Sequence, residues 1–321
     1  MSWKTLITCC SRTTSNKSSL KNGGLLVEKL IRVSNGDYNP FFIFTEQELK
    51  QATKDYDQDL VCLVDDNYKL FRVLENRGAV LIKKTNEHEE LVEYCIREIA
   101  VAAYVSSNMN LVKLLGCCLE SKVPIIVFEY SSSILDLKIA KYIGDGLSGN
   151  LSDYLHNKKG VIPWRQRIRI AAQVADAIAY LHLEVPEGET SVQALVEGTI
   201  GFLASESVVT ERFNEQTDVF AFGATLIEIL TGREPHNVFI GASDYMTNPD
   251  TTPVAESSLI SVSSPKRIDL LMFLKANLIR DGKDNALEAS AELAASCVEI
   301  LPEKRPTIEE VAKKLKHIQN M

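Results

Sequence analysis

Apolar positions along this chain recur with two different periods, and the change from one to the other marks the architecture. Residues 87–105 place Leu91, Cys95, Ile99 and Ala103 four apart, with Val92 and Ile96 beside them, which predicts a helix with one buried face. Ahead of it lie the short β-rich runs LVCLV, KLFRVL and AVLIKK, and after it NLVKLLGCCLE and PIIVFEY. Together these predict an antiparallel sheet. From residue 163 onward the helical period takes over. A long helix opens at Pro163–Trp164 with Ile168, Ala171, Ala172, Ala175, Ile178 and Ala179 as its buried stripe. TDVFAFGATLIEILTG is apolar nearly all round, as befits a central helix. The last helix carries Ile308, Val311, Leu315 and Ile318 inward.

Helix starts are written in the polar residues. Thr45 and Glu48, and again Thr307 and Glu310, have the spacing of a capping box. GGLLVEKLIRV predicts a short amphipathic helix with Leu26, Leu30 and Val33 on one side. Residues 1–24, rich in Ser, Thr, Asn and Lys, are expected to form a flexible leader. Residues 236–265 are polar and predict a loop, followed by helices near 266–280 and 285–300. Residues 131–149 fit neither period, and a helix and a surface loop both remain open for them.

Composition narrows the function class. A hydrophobic fraction of 45% and a charged fraction of 24% over 321 residues suit a large globular core. The net charge of −8 argues against nucleic acid as a partner, because a phosphate backbone calls for a basic surface. No apolar run approaches the length of a membrane span. Cys9, Cys10, Cys62, Cys95, Cys117, Cys118 and Cys297 are odd in number and lack paired metal spacing, so free thiols in a reducing compartment and no metal site are expected. Cys117 and Cys118 stand in an apolar run, which points to burial. Cys9 and Cys10, beside Arg12 and Lys17, are candidates for S-acylation, with two unmodified thiols as the alternative.

FTEQELKQAT, VLIKK, NLVKLLGCCLE, VFEY, NLSDYLH, AYLH, GTIGFL, TDVFAFG and KRPT occur in that order. In this the chain resembles the plant receptor-like cytoplasmic kinases, over nearly all of residues 25–321. The leader GGLLVEKLI followed by NPFFIFTEQELKQAT is most similar to the ZRK group of pseudokinases. The resemblance implies an α+β, two-lobed, protein-kinase-like fold with a small antiparallel N-lobe sheet and a mainly helical C-lobe. Leader helix and N-lobe would span 25–130, the insertion after the hinge 131–149, and the C-lobe 150–321.

The same resemblance exposes what is missing. Between His182 and Gly198 only fifteen residues remain, 183–197, reading LEVPEGETSVQALVE. The catalytic loop H-R-D-L-x-x-x-N needs eight positions and D-F-G three, before a connecting strand of about five is counted. The interval contains no Asp, Asn, Arg or His. No catalytic residue is therefore assigned, and the catalytic loop and D-F-G region are read as deleted. The glycine-rich loop is replaced by LVDDNYKLFRV, without glycine and with Asp65 and Asp66 where phosphate oxygens would approach, so ATP is not expected as a cofactor.

Lys83 in VLIKK corresponds to the strand Lys of V-A-I-K, and Glu98 to its helix partner. The resemblance implies a phosphate-holding ion pair, whereas the missing glycines favour a purely structural salt bridge. Glu206 and Arg305 are the expected buried pair of the C-lobe, and Asp218 is expected to cap backbone amides at the start of its helix. His156, His182 and Glu184 sit in no motif that replaces the lost parts.

The implied function is that of a catalytically inactive adaptor or decoy in plant immune signalling. Its implied partners are a coiled-coil NLR immune receptor and other receptor-like cytoplasmic kinases. It would be cytoplasmic, with peripheral association at the inner face of the plasma membrane only where Cys9 and Cys10 are acylated. The alternatives are a weakly active or nucleotide-binding Ser/Thr kinase and a truncated splice form. Candidate contact surfaces are the leader helix, the N-lobe strands and 186–199, where Thr190, Ser191 and Thr199 are either modifiable or ordinary loop hydroxyls.

Overall fold

A computed structural model describes residues 17–75, 78–130, 151–156, 162–184, 192–193, 196, 198–244, 271–272 and 283–321. Cys9, Cys10, Thr190, Ser191 and the insertion 131–149 lie outside the described residues. The chain divides into two compact units: Met1–Gly149 with Glu184–Pro186, and Asn150–Leu183 with Glu187–Met321.

The first unit is built on six strands: β1 (Phe42–Ile43), β2 (Val61–Val64), β3 (Tyr68–Glu75), β4 (Gly78–Thr85), β5 (Leu114–Cys118) and β6 (Ile125–Tyr130). Their order is β1-β5-β6-β4-β3-β2. The expectation of a purely antiparallel sheet needs correction. β1 pairs parallel to β5, Phe42 opposite Gly116 and Ile43 opposite Cys117, so the sheet is mixed. Two residues are too few to show an alternating pattern, which is why β1 escapes a reading of the sequence. Gly116 is what admits it, since a Cβ there would lie 2.3 Å from the Phe42 carbonyl oxygen.

Residues of β5 and β6 alternate between two cores. On one face Cys117 and Ile126 join Val92, Cys95, Ile96, Ile99, Ala100 and Ala103 of helix α3 (Leu91–Val105). On the other, Cys118, Ile125 and Val127 meet Phe44, Phe71, Val73 and Ile82, together with Leu49 of helix α2 (Glu46–Ala52). α2 begins at the expected Thr45–Glu48 capping box. α3 begins at Leu91, four residues later than the apolar pattern suggests, because 89–90 form a turn. Burial pushes the Cys117 thiol up to about 12, so it stays protonated and inert.

Helix α1 (Lys17–Ser34) lies on α3 and is longer than expected. The flexible leader read for residues 1–24 therefore overlaps it from Lys17 onward. Gly23 and Gly24 cost a helix about 1 kcal/mol each, which hides the first two turns from propensity. Tertiary contacts offset that cost. Leu26 and Leu30 are buried against α3. Lys21 pairs with Glu89 at 3.1 Å and Lys29 with Glu93 at 2.7 Å. Buried Asn22 donates from Nδ2 to the carbonyls of Leu119 and Ser121, both at 3.1 Å. α1 ends in a turn where Asn35 and Gly36 take φ of 52° and 87°. Asn22→Ala is expected to cost about 1–2 kcal/mol, because the partners of two part-buried or buried carbonyls are removed. A urea midpoint unchanged by this substitution would show that the Asn22 hydrogen bonds add nothing to the first unit.

The second unit is mainly helical: α4 (Leu151–His156), α5 (Trp164–Glu184), α6 (Ser205–Thr210), α7 (Glu215–Thr231), α8 (Pro235–Asp244), α9 (Asp284–Cys297) and α10 (Ile308–Gln319). A two-stranded antiparallel ladder joins β7 (Val192–Gln193) to β8 (Arg212–Phe213). The α5 stripe is buried at Ile168, Ala171, Ala172, Ala175 and Ala179, with Ile178 half-buried. Buried Arg167 holds α5 in place, donating to the carbonyls of Ile162 at 2.8 Å and of Ile229. α10 starts at the Thr307–Glu310 capping box.

Residues 236–244 are helix rather than the loop expected there. Pro235 opens α8 at the position where its missing N–H costs nothing, and Val238 and Phe239 are buried. The remainder of the expected loop and, apart from residues 271–272, the helix read near 266–280 lie outside the described residues. The helix expected at 285–300 ends at Cys297.

Candidate functional site

In the first unit the strand register assembles the site. β3 and β4 pair with Leu70 opposite Lys83 and Tyr68 opposite Thr85, which puts Tyr68 and Lys83 diagonally adjacent on one face of the sheet. α3 supplies Glu98, and Tyr94 stands one turn earlier on the same helix face. Cys95 of α3 bonds the Thr85 hydroxyl of β4 at 3.3 Å, fixing helix to strand beside the site.

Lys83 Nζ donates to both Glu98 oxygens, at 2.9 and 2.8 Å. Its side chain is 9% exposed and that of Glu98 25%. The ammonium lies 4.3 Å from the centre of the Tyr68 ring and 5.6 Å from that of Tyr94. Burial by itself would favour loss of the Lys83 proton, but the hydrogen bond and charge of Glu98 outweigh it, and the pKa rises above 10.5. The stabilisation from this pair is thus fully present below that value and is lost only as pH rises through the folded pKa. Burial first, and then the charge of Asp65, push the Tyr68 phenol up.

The turn between β2 and β3 consists of Asp65, Asp66 and Asn67, all exposed. Its amides are partly committed to the turn: Asp65 N–H donates to the Tyr68 carbonyl at 2.9 Å and Asn67 N–H to Asp65 Oδ1 at 3.1 Å. The Asp66 carbonyl accepts from Asn86 at 2.7 Å.

In the second unit Arg305 and Glu206 meet in a two-pronged pair, Nη1 to Oε1 at 2.5 Å and Nη2 to Oε2 at 3.0 Å. Arg305 also donates to the carbonyls of Gln216 at 2.9 Å and Glu299 at 2.8 Å, and lies 5.0 Å from the centre of the Phe220 ring. The expectation for Asp218 needs correction. α7 begins three residues earlier, and its cap is Asn214, whose side chain accepts from Thr217 N–H. Asp218, already inside the first turn, instead faces His182, Nε2 to Oδ2 at 2.9 Å. His156 Nε2 lies 2.6 Å from Glu228 Oε1. Thr199 is exposed. Among the described residues no group of three or more His, Cys, Asp or Glu side chains converges as a metal site. Among the described residues no helix is long and apolar enough to cross a membrane.

The sequence gives no warning of Tyr68, because its place over Lys83 depends on the β3–β4 register. Tyr94 was legible in principle, four residues ahead of Glu98.

The profile described as "Protein tyrosine and serine/threonine kinase" matches residues 68–185 and 183–315. The chain belongs to this kinase family. Its kinase-family relatives include the Arabidopsis thaliana protein named putative wall-associated receptor kinase-like 16, which is 27% identical over 92% of this chain and 71% of its own length. Wall-associated receptor kinases 5 and 3 of the same plant are 27% and 26% identical over 92% of this chain. The kinase-family chain spans 42% and 41% of those two longer proteins. It is thus related to plant receptor kinases and carries the mixed sheet and helical unit described above.

Proposed function

We propose that this kinase-family chain is a catalytically inactive pseudokinase of the ZRK type. In this reading it acts as an adaptor or decoy in plant immune signalling, docking on a coiled-coil NLR receptor and meeting other receptor-like cytoplasmic kinases. The observation that carries the inactive assignment is the interval 183–197, which has fifteen residues and no Asp, Asn, Arg or His. In support, the two stretches matched by the family profile meet at residues 183–185, where that interval begins. Phosphoryl transfer relies on positioned metal and a proton acceptor, and losing a general base alone costs roughly 10²–10⁴ in rate.

The family acts on a nucleoside triphosphate with Mg²⁺, and the residues of the first unit do not fit that group. Two turn amides that could face phosphates are committed elsewhere, Asp65 and Asp66 bring like charge, and Tyr68 covers Lys83. We place the protein in the cytoplasm, at the inner face of the plasma membrane if Cys9 and Cys10 are acylated.

Incubated with γ-labelled ATP, the purified protein is expected to label neither itself nor a generic protein substrate. Label that appears and then vanishes in Lys83→Ala would overturn the inactive assignment. Nucleotide binding without transfer has one observation in its favour, the formed Lys83–Glu98 pair. A rise in Tm of several degrees with millimolar Mg-ATP would establish it, and no shift is expected.

A further inference from the structure

Lys83 is enclosed by its own chain. Both Glu98 oxygens accept hydrogen bonds from its ammonium at 2.9 and 2.8 Å, the Tyr68 ring lies 4.3 Å from Nζ, and the residue is only 7% exposed. We propose that Tyr68 is a built-in stopper that closes the Lys83 ammonium to phosphate groups, standing in for the anion such a lysine would otherwise meet.

The chemistry suits the role. An aromatic face attracts an ammonium through its quadrupole without carrying a charge of its own, so Lys83 stays satisfied while its pairing with Glu98 is undisturbed. The register fixes the ring in place: Tyr68 is opposite Thr85, one pleat along the strand from Lys83. The ring is also held at the foot of the acidic turn, since the Tyr68 carbonyl accepts from Asp65 N–H at 2.9 Å. Tyr94, at 5.6 Å and with 60% exposure, gives a looser second wall. Of the two, Tyr68 is therefore the closing residue. The inference rests on the reading that Lys83 meets no nucleotide, and it names what excludes one.

The test is the rate at which Lys83 of the full chain is methylated by limiting formaldehyde and borane, read by peptide mass spectrometry against Lys122, which is exposed between β5 and β6. Tyr68→Thr keeps a strand-forming residue and removes the ring. It is expected to raise the Lys83 rate about tenfold, the scale of one lost cation–π contact. Tyr68→Phe, which keeps the ring face, should stay within about twofold of the wild type. Inorganic tripolyphosphate should slow methylation of Lys83 in Tyr68→Thr and leave the wild type unaffected. A Tyr68→Thr protein that melts cooperatively yet labels at the wild-type rate would overturn the proposal, as would Tyr68→Phe labelling as fast as Tyr68→Thr. If Tyr68→Thr does not fold, Tyr68→Leu takes its place, with a rise expected and wild-type labelling counting against the stopper. Protection of wild-type Lys83 by ATP would sink both the nucleotide-free reading and the stopper, whereas equal labelling of Tyr68→Thr and the wild type without nucleotide would sink the stopper alone.

Discussion

Glu206→Ala is expected to lower the stability of the second unit by about 3–5 kcal/mol, because it leaves a buried guanidinium without its counter-charge. The Arg305 side chain is 0% exposed, whereas that of Glu206 is 24% exposed. The arginine therefore cannot turn to water when its partner is removed. The carbonyls of Gln216 and Glu299 would still accept from it, but they carry no charge to balance it. For a unit of this size the loss corresponds to a fall in Tm of roughly 10 °C. Glu206→Gln, which keeps an acceptor, should cost less. The double change Glu206→Leu with Arg305→Met should recover part of the loss, since a buried pair replaced together is far less costly than one broken. Equal melting of Glu206→Ala and the wild type would show that the pair is not structural.

Gly223→Val is the second large effect, expected to destabilise by about 3 kcal/mol or more through overpacking. A Cβ on Gly223 would stand 2.5 Å from the Cys297 Cβ, 2.8 Å from Val298 Cγ1 and 3.2 Å from the Cys297 carbonyl carbon. Two of these atoms are backbone or attached directly to it, so no side-chain rotation relieves the contact. Even Gly223→Ala, which gains about 1 kcal/mol of helix propensity, should lose more than that to the forced separation of α7 and α9. Cys297→Ala should not rescue it, because the clashing Cβ remains, and Cys297→Gly should rescue in part. Urea midpoints of the four variants and the wild type check this, and a Gly223→Ala midpoint equal to or above that of the wild type would count against the close approach of α7 and α9.

How much of this could be read in advance depended on the range of the cause. Local signals were enough for α2 and α10, where Thr45 with Glu48 and Thr307 with Glu310 define the helix starts. Periodicity was enough for the buried face of α3. Features decided by distant partners were not legible. The first turns of α1 depend on Asn22 reaching carbonyls about a hundred residues away. The parallel β1 depends on the absence of a Cβ at Gly116. Asp218 was misread because the Asn214–Thr217 capping box lies just ahead of it and takes the cap. At the candidate site, Lys83 and Glu98 could be named from their motif, while the ring over Lys83 follows from a register that only pairing reveals.

The turn after α1 has a consequence for the lifetime of the protein. Asn35 and Gly36 are small or polar, exposed and in a turn, the kind of link that proteases cut first. A single nick there would leave α1 held on α3 by noncovalent contacts alone. Its dissociation would bare the surface that Leu26 and Leu30 cover and mark the remainder for aggregation or disposal. A limited digest is therefore expected to separate α1 from the rest of the first unit by a cut at this turn.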